Sequence, residues 1–249
     1  NGNINSRTGN GETWSFNWSG FDQPRWMGRY ATSGTANVRG SAFTYGPDHQ
    51  RVVHMEFDSF SGSGANGTPK HYTKKKLYIS GGAMELDYTN GASGAAQSWD
   101  LDIVRIYIPS PSGNAGSAEL VPSATSASMH KMLVYHYDHL GSIQAITNWG
   151  ESSQSFYTLY TNDATGKESV YSYDAWGQRR DAKDWSGYAW NGSLIAPVFT
   201  WAWDNPATEA NEDDLIPRGF TGHEMMDALG LIHMNGRIYD PRLGRFSSA

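Results

Sequence analysis

The residues best equipped for chemistry are the histidines, a few close carboxylate pairs and one arginine-rich stretch near the C-terminus. His136 and His139 flank Asp138, and His223 stands beside Glu224, with His233 further along. None has the spacing that sets two imidazoles on one face for a metal. A histidine pair across a strand turn points to different faces, so neither a metal nor a cofactor is expected. His223 reads as a residue that packs a turn. Asp100 with Asp102, or Asp213 with Asp214, could be posed as the acid and base of a glycosidase. With 25 acidic residues in the chain, such neighbours arise by chance. The sequence has no GxSxG nucleophile elbow and no phosphate-cradling GxxxxGK(S/T) loop. Trp185, Trp190, Trp201 and Trp203 could make a sugar-stacking platform; the plainer reading is a minor buried core.

The tightest constellation runs from Asn235 through Arg237, Tyr239, Asp240 and Pro241 to Gly244, Arg245 and Phe246. Leu231, His233 and Asn235 fall on one face of a strand, and Ile232, Met234 and Gly236 on the other. Asp240–Pro241 opens a turn in which Gly244 can take a positive φ. The expected result is strand, turn, strand, with Arg237 and Arg245 flanking the Asp240 carboxylate.

That corner is the third, looser copy of a repeat. Tyr137, Asp138 and Gly141 form the first, and Tyr173, Asp174 and Gly177 the second. In each, the aspartate can accept backbone N–H groups of the following turn. The glycine supplies a left-handed residue. The tyrosine lies on one sheet face, where it is expected to stack on its copy in the next hairpin. Such units cannot bury their faces singly and stack into a continuous sheet.

The elements that must carry these corners are strands. Runs with helical periodicity are almost missing, while strand formers are punctuated by Gly, Asn, Asp and Pro. Strands are expected at Thr13 to Trp18, Arg51 to Phe57, Lys76 to Ser80, Ala83 to Thr89, Leu101 to Ile108, Met132 to Tyr137 and Ile143 to Thr147. Ser59 to Pro69 and Pro109 to Ala127 read as small-residue loops, and Glu224 to Leu229 as the one helical piece. The fold class is all-β. The chain has 249 residues, no cysteine and a net charge of -6 with mixed signs. Disulfides and thiolate metal sites are thereby excluded, and neither a nucleic-acid nor a membrane-surface partner is indicated. No apolar run is long enough for a membrane span.

From Gly219 to Phe246 the chain resembles the RHS-repeat-associated core that closes bacterial RHS/YD-repeat proteins, with the pattern GxTGHExxxxxGLxxMxxRxYDPxxGRFxxxDP. The stretch Asn1–Gly2–Asn3 with Trp18 and Phe21–Asp22 resembles a degenerate YD repeat. The resemblance implies degenerate YD-repeat hairpins over 1–130 and the core over 131–249, with a Trp-rich insert at 181–215. It implies a sheet wound into a hollow shell around a C-terminal toxin domain as enclosed cargo. The further partners are the rest of the shell and a secretion-system spike or toxin-complex subunit; the localisation is secreted or cell-surface. The inner face of such a shell should mix polar and aromatic side chains, several of them part exposed.

In proteins similar to this one the core ends in an aspartyl autoprotease. Two aspartates, in the DP after GRFxxx and in a later DPxGL-like site, act with the arginine of RxYDP. Arg237 holds that arginine's position as an auxiliary. The matching aspartates would lie beyond Ala249, so the chain is expected to be an excerpt of a longer protein and not itself a protease. For Arg237 alone the simpler expectation is an ion pair with Asp240 or another carboxylate. The rival readings are a surface carbohydrate-binding or adhesion module and, behind it, a hydrolase.

Overall fold

The computed structural model describes residues 2–9, 12–31, 38–61, 67–91, 98–111, 113–122, 127–148, 158–159, 170–180, 182, 217–226 and 229–248. The Trp-rich insert, with Trp185, Trp190, Trp201, Trp203, Asp213 and Asp214, lies outside them.

Strands follow one another with little between them. They are β1 (Ser6–Gly9), β2 (Glu12–Trp18), β3 (Pro24–Ala31), β4 (Arg39–Tyr45), β5 (Arg51–Phe57), β6 (Phe60–Ser61), β7 (Thr68–Pro69), β8 (Tyr72–Ile79), β9 (Met84–Asn90) and β10 (Trp99–Ser110). They continue as β11 (Gly113–Pro122), β12 (Ala127–Tyr137), β13 (Ile143–Asn148), β14 (Thr158–Leu159), β15 (Ser172–Tyr173) and β16 (Arg179–Arg180). The last four are β17 (Glu224–Met226), β18 (Leu231–Met234), β19 (Arg237–Asp240) and β20 (Arg245–Phe246). Twelve of them form one antiparallel meander in chain order, interrupted only by the β6–β7 hairpin. The strands β17 to β20 form a second, closing sheet. Helix among the described residues is confined to 3-10 turns, at Ser80–Gly82, at Phe220–Gly222 and at Leu229.

Three expectations are corrected. Residues 113–122 are a strand rather than a loop, paired on both sides by β10 and β12. Their small side chains suit close approach, since a Cβ on Gly116 would sit 2.0 Å from the Leu133 carbonyl oxygen. Of the expected helical piece Glu224 to Leu229, the first three residues are a strand, Leu229 lies in a 3-10 turn, and 227–228 fall outside the described residues. Glu224–Met226 pairs with β18, because burying Met226 and tying Glu224 to the large sheet outweigh the weak helix propensity of this short run. The Ser59 to Pro69 loop contains the β6–β7 hairpin, whose Phe60 packs on Trp26, Tyr30 and Phe57.

The closing sheet lies across one face of the large sheet. Over β2 to β4 the contact is apolar, with Met226, Leu229, Leu231 and Ile238 packed on Trp14, Phe16, Met27 and Phe43. Fully burying side chains of this size contributes about 1.5–3 kcal/mol each. On the opposite face of the large sheet, Trp26, Val38, Ala42 and Phe57 form a separate cluster. A third joins Tyr107, Leu133, Tyr135, Ile143 and Ile146. Mixed polar and aromatic surface is present: Tyr78, Tyr107 and Tyr135 are buried, while Trp18, Tyr45 and Tyr171 are half-buried and Tyr137 and Trp176 exposed.

Candidate functional site

The corner residues come first. Asp138 Oδ1 accepts the backbone N–H groups of Leu140 and Ser142 at 2.9 and 2.8 Å, and Gly141 has φ 81°. Asp174 Oδ1 accepts those of Trp176 and Gln178 at 2.8 and 2.9 Å, with Gly177 at φ 89°. Asp240 Oδ1 accepts from Arg242 at 3.0 Å before Gly244 at φ 62°, and Pro241 is buried within that turn. A fourth aspartate, Asp48, accepts from Gln50 N at 3.1 Å. Pro47 rather than a tyrosine stands directly before it, so it lies outside the Tyr-Asp pattern.

The tyrosines do not stack on one another's copies in these contacts; each has another partner. Tyr137 donates to the Asn114 carbonyl at 2.5 Å. Tyr173 packs on Phe220 and donates to the Ile143 carbonyl at 3.2 Å. Tyr239 meets Phe246 edge-on.

Arg237 and Asp240 are not brought together. Strand alternation sends Asp240 toward the large sheet, where it pairs with Arg7 of β1 and lies 3.6 Å from Arg242 Nε. Arg237 is exposed, and its guanidinium lies 3.9 Å from the Phe246 ring centroid. Arg7 and Arg242 also sit over the Trp14 ring, at 4.1 and 4.5 Å. Burial first, then Arg7, lowers the Arg242 guanidinium to about 10.

The most concentrated chemistry lies elsewhere, beneath Glu224. The β5 register makes it possible. Tyr45 faces Arg51 while Thr44 faces Val53, so Val52 is an extra residue. That bulge turns Arg51 onto the same face as His54. From there the register carries charge across the sheet: His54 beside Lys76, Lys76 beside Asp87, Tyr78 beside Glu85, Glu85 beside Arg105, and Arg105 beside Glu119.

Glu224 descends onto this row from the closing sheet. It pairs with Arg51 and accepts the Tyr78 hydroxyl at 2.9 Å. His54 Nδ1 lies 3.4 Å from it and Lys76 Nζ 4.0 Å. Lys76 also reaches Glu85 at 3.3 Å and Asp87 at 3.7 Å. Arg105, 2% exposed, reaches Glu119 at 2.7 Å, Asp87 at 3.0 Å and Glu85 at 3.6 Å. Arg218, just ahead of the closing sheet, binds Glu85 at 3.2 Å and lies over the Tyr107 ring. The cations Arg51, Lys76, Arg105 and Arg218 thus meet the carboxylates Glu85, Asp87, Glu119 and Glu224.

Burial alone would raise the Glu224 carboxyl, but Arg51, the His54 hydrogen bond and Lys76 together hold it well below the usual carboxylate range. Burial opposes the charge on Lys76, yet Asp87, Glu85 and Glu224 raise it. His233, opposite Glu224 in the closing sheet, touches no carboxylate so closely. Burial and then Arg51 push its imidazole well below the ordinary value of 6.5. His223 is lowered by burial and Arg218, and contacts the Thr221 hydroxyl at 2.8 Å within its turn.

One substructure has the outline of a hydrolytic triad. Ser41 Oγ is 3.0 Å from His54 Nε2, and His54 Nδ1 faces Glu224. Its surroundings argue against nucleophilic use. Ser41 is 5% exposed, in an interior strand paired on both sides, so backbone N–H groups beside it are committed to ladders rather than to an oxyanion. Glu224 is held by Arg51 and Lys76 as well as by the histidine. Of the proposed glycosidase pair, Asp102 bonds Thr89 at a bulge and Asp100 is exposed. No group of His, Asp and Glu suited to a metal occurs among the described residues.

No family model matches the sequence, and no curated protein matches it. Solved structures do. The fold resembles chains of TcdB2–TccC3. In the crystal structure of that complex, the match covers 95% of this chain at 15% identity, with a TM-score of 0.52. In the complex with Cdc42 it covers 99% at 14% identity, with a TM-score of 0.54. In TcdB2–TccC3 without its hypervariable C-terminal region it covers 95% at 14% identity, with a TM-score of 0.53. The chain spans about 9% of the length of each of these neighbours. At such identity the likeness is one of fold.

Proposed function

We propose that this chain is the closing section of an RHS-type β shell that encloses and delivers a C-terminal toxin domain, and that its own role is structural rather than catalytic. The observation that carries the reading is the arrangement of the two sheets. Twelve strands run in chain order in one meander, and the stretch from Gly219 to Phe246 folds back across one face of it. A stack of hairpins can be extended at either edge, which is what a wall requires. The fold likeness to TcdB2–TccC3 supports the same reading, as does the fact that one of those structures is described by the removal of a hypervariable C-terminal region. The division into hairpins over 1–130 and a core over 131–249 belongs to this proposal, as do a secreted or cell-surface location and contact with a secretion spike or toxin-complex subunit. No helix among the described residues is long and apolar enough to cross a membrane.

The structural role is supported by the fate of the ionisable groups. The buried carboxylates beneath the closing sheet are matched by cations, which leaves them little freedom to move protons. The test is protease protection of the full-length gene product. Its C-terminal segment should resist digestion until the wall is denatured. Digestion of that segment at the rate of an unfolded chain would overturn the proposal. Specific glycan binding lost in Trp201→Ala/Trp203→Ala would instead favour an adhesion module.

A further inference from the structure

The closing sheet is held in two physically different ways on its two sides. Over β1 to β4 the contact is chiefly dry. Met226, Leu229, Leu231 and Ile238 are at most 5% exposed and pack on Trp14, Phe16, Met27 and Phe43. The Trp14 indole N–H donates to the Leu229 carbonyl at 3.4 Å, Ile4 N donates to the Ser247 carbonyl at 2.9 Å, and Arg7 pairs with Asp240. Over β5 to β13 the ties are mostly polar and come from residues 218–224. Arg218 binds Glu85, and Glu224 binds Arg51, Tyr78, His54 and Lys76. Ile143 N donates to the Gly219 carbonyl at 3.2 Å, and Thr221 N to the Ser142 hydroxyl at 3.0 Å. Between these ties the chain turns through Thr221 at φ 49°, a conformation that L side chains adopt only under constraint.

We infer that the closing sheet is a lid with an apolar hinge over β1 to β4 and an ionic latch at residues 218–224, and that the latch opens without the hinge. The physics of the two contacts differs. Apolar burial is non-directional and yields gradually. A buried ion pair depends on each partner: removing one strands the other in a site without water, and the contact then fails as a unit. The latch is therefore the place where opening starts. The inference concerns this chain's own motion and does not depend on what the wall encloses.

Native-state hydrogen exchange on the 249-residue protein tests it. In Glu224→Gln, amides of 218–224 should exchange about a hundredfold faster than in the unmodified protein, the scale of a broken buried pair. Amides of β2 and β19 should stay within about threefold. Tyr78→Phe keeps every charge, removes one tie and should give the same contrast at about threefold to tenfold; it serves if Glu224→Gln does not fold. Leu231→Ala, in the hinge, should accelerate β2 and β19 as well. Equal acceleration of β2, β19 and 218–224 in the two latch variants, or none in any segment, would overturn the latch.

Discussion

Gly141 and Gly177 offer a controlled comparison of backbone strain and packing. Both stand at the same place in an Asp-closed corner, and their φ values, 81° and 89°, are nearly the same. Their surroundings are not. A Cβ built on Gly141 meets nothing within 4 Å, whereas one on Gly177 would lie 2.5 Å from the Phe220 ring. Gly141→Ala should therefore cost only the left-handed penalty of about 1–2 kcal/mol. Gly177→Ala should cost that plus about 1–3 kcal/mol for forcing apart Phe220 and Tyr173, which hold the Gly219 turn against the second corner. At about 2–4 °C per kcal/mol for a chain of this length, melting should fall by roughly 2–8 °C for the first and roughly 4–20 °C for the second. Differential scanning calorimetry of both variants measures the gap. Equal losses, or a larger loss at Gly141, would mean that Phe220 does not bear on the corner and that inter-corner packing contributes nothing.

Four further outcomes follow from the same contacts. Asp138→Ala and Asp174→Ala should each cost about 1–2 kcal/mol, the scale of a lost side-chain cap, and chemical denaturation showing no change in either would rule out carboxylate closure of the corners. Arg105→Met should cost about 3–5 kcal/mol by stranding Glu85, Asp87 and Glu119, and adding Glu119→Leu should recover part of it; simple additivity in the double variant would argue against the pairing. Stability should decline with acid in two stages. The His233 value is depressed in the folded state, so its contribution is whole above the unfolded value of 6.5 and lost as pH falls below it; Glu224 is depressed likewise, so its share is lost from 4.5 downward, and a melting temperature flat as pH falls from 7 through the acid range below 4.5 would contradict both. Lys76 is raised, so its contribution is present below 10.5 and lost as pH rises through its folded value, which Lys76→Met should abolish from the alkaline melting profile.

The corners could be read from the sequence because their chemistry is local: an aspartate, its own next N–H groups and a glycine lie within five residues. Strands such as β5 and β13 were equally plain from alternation. Strand β11 was not, because Gly, Ser, Asn and Ala carry little strand propensity and only neighbours on both sides hold it in the ladder. The ladder beneath Glu224 was hidden for a different reason. Arg51, Lys76, Glu85, Arg105 and Glu119 sit on separate strands, and each alone looks like the solvent side of an alternating pattern. Only the register and the Val52 bulge bring them into a row. The TGHE stretch points to His223, yet its neighbour Glu224 makes the long-range contacts. Arg237 was expected at a carboxylate because it is near Asp240 in sequence. Strand alternation puts the two on opposite faces.

The most direct test of the shell reading is a cryo-electron-microscopy map of the full-length gene product. The account expects β1 and β14 to be continued by further strands of the same chain, with the closing sheet bordering an enclosed volume that holds polypeptide density. A free-standing domain with both edge strands open to solvent and no enclosed volume would contradict it.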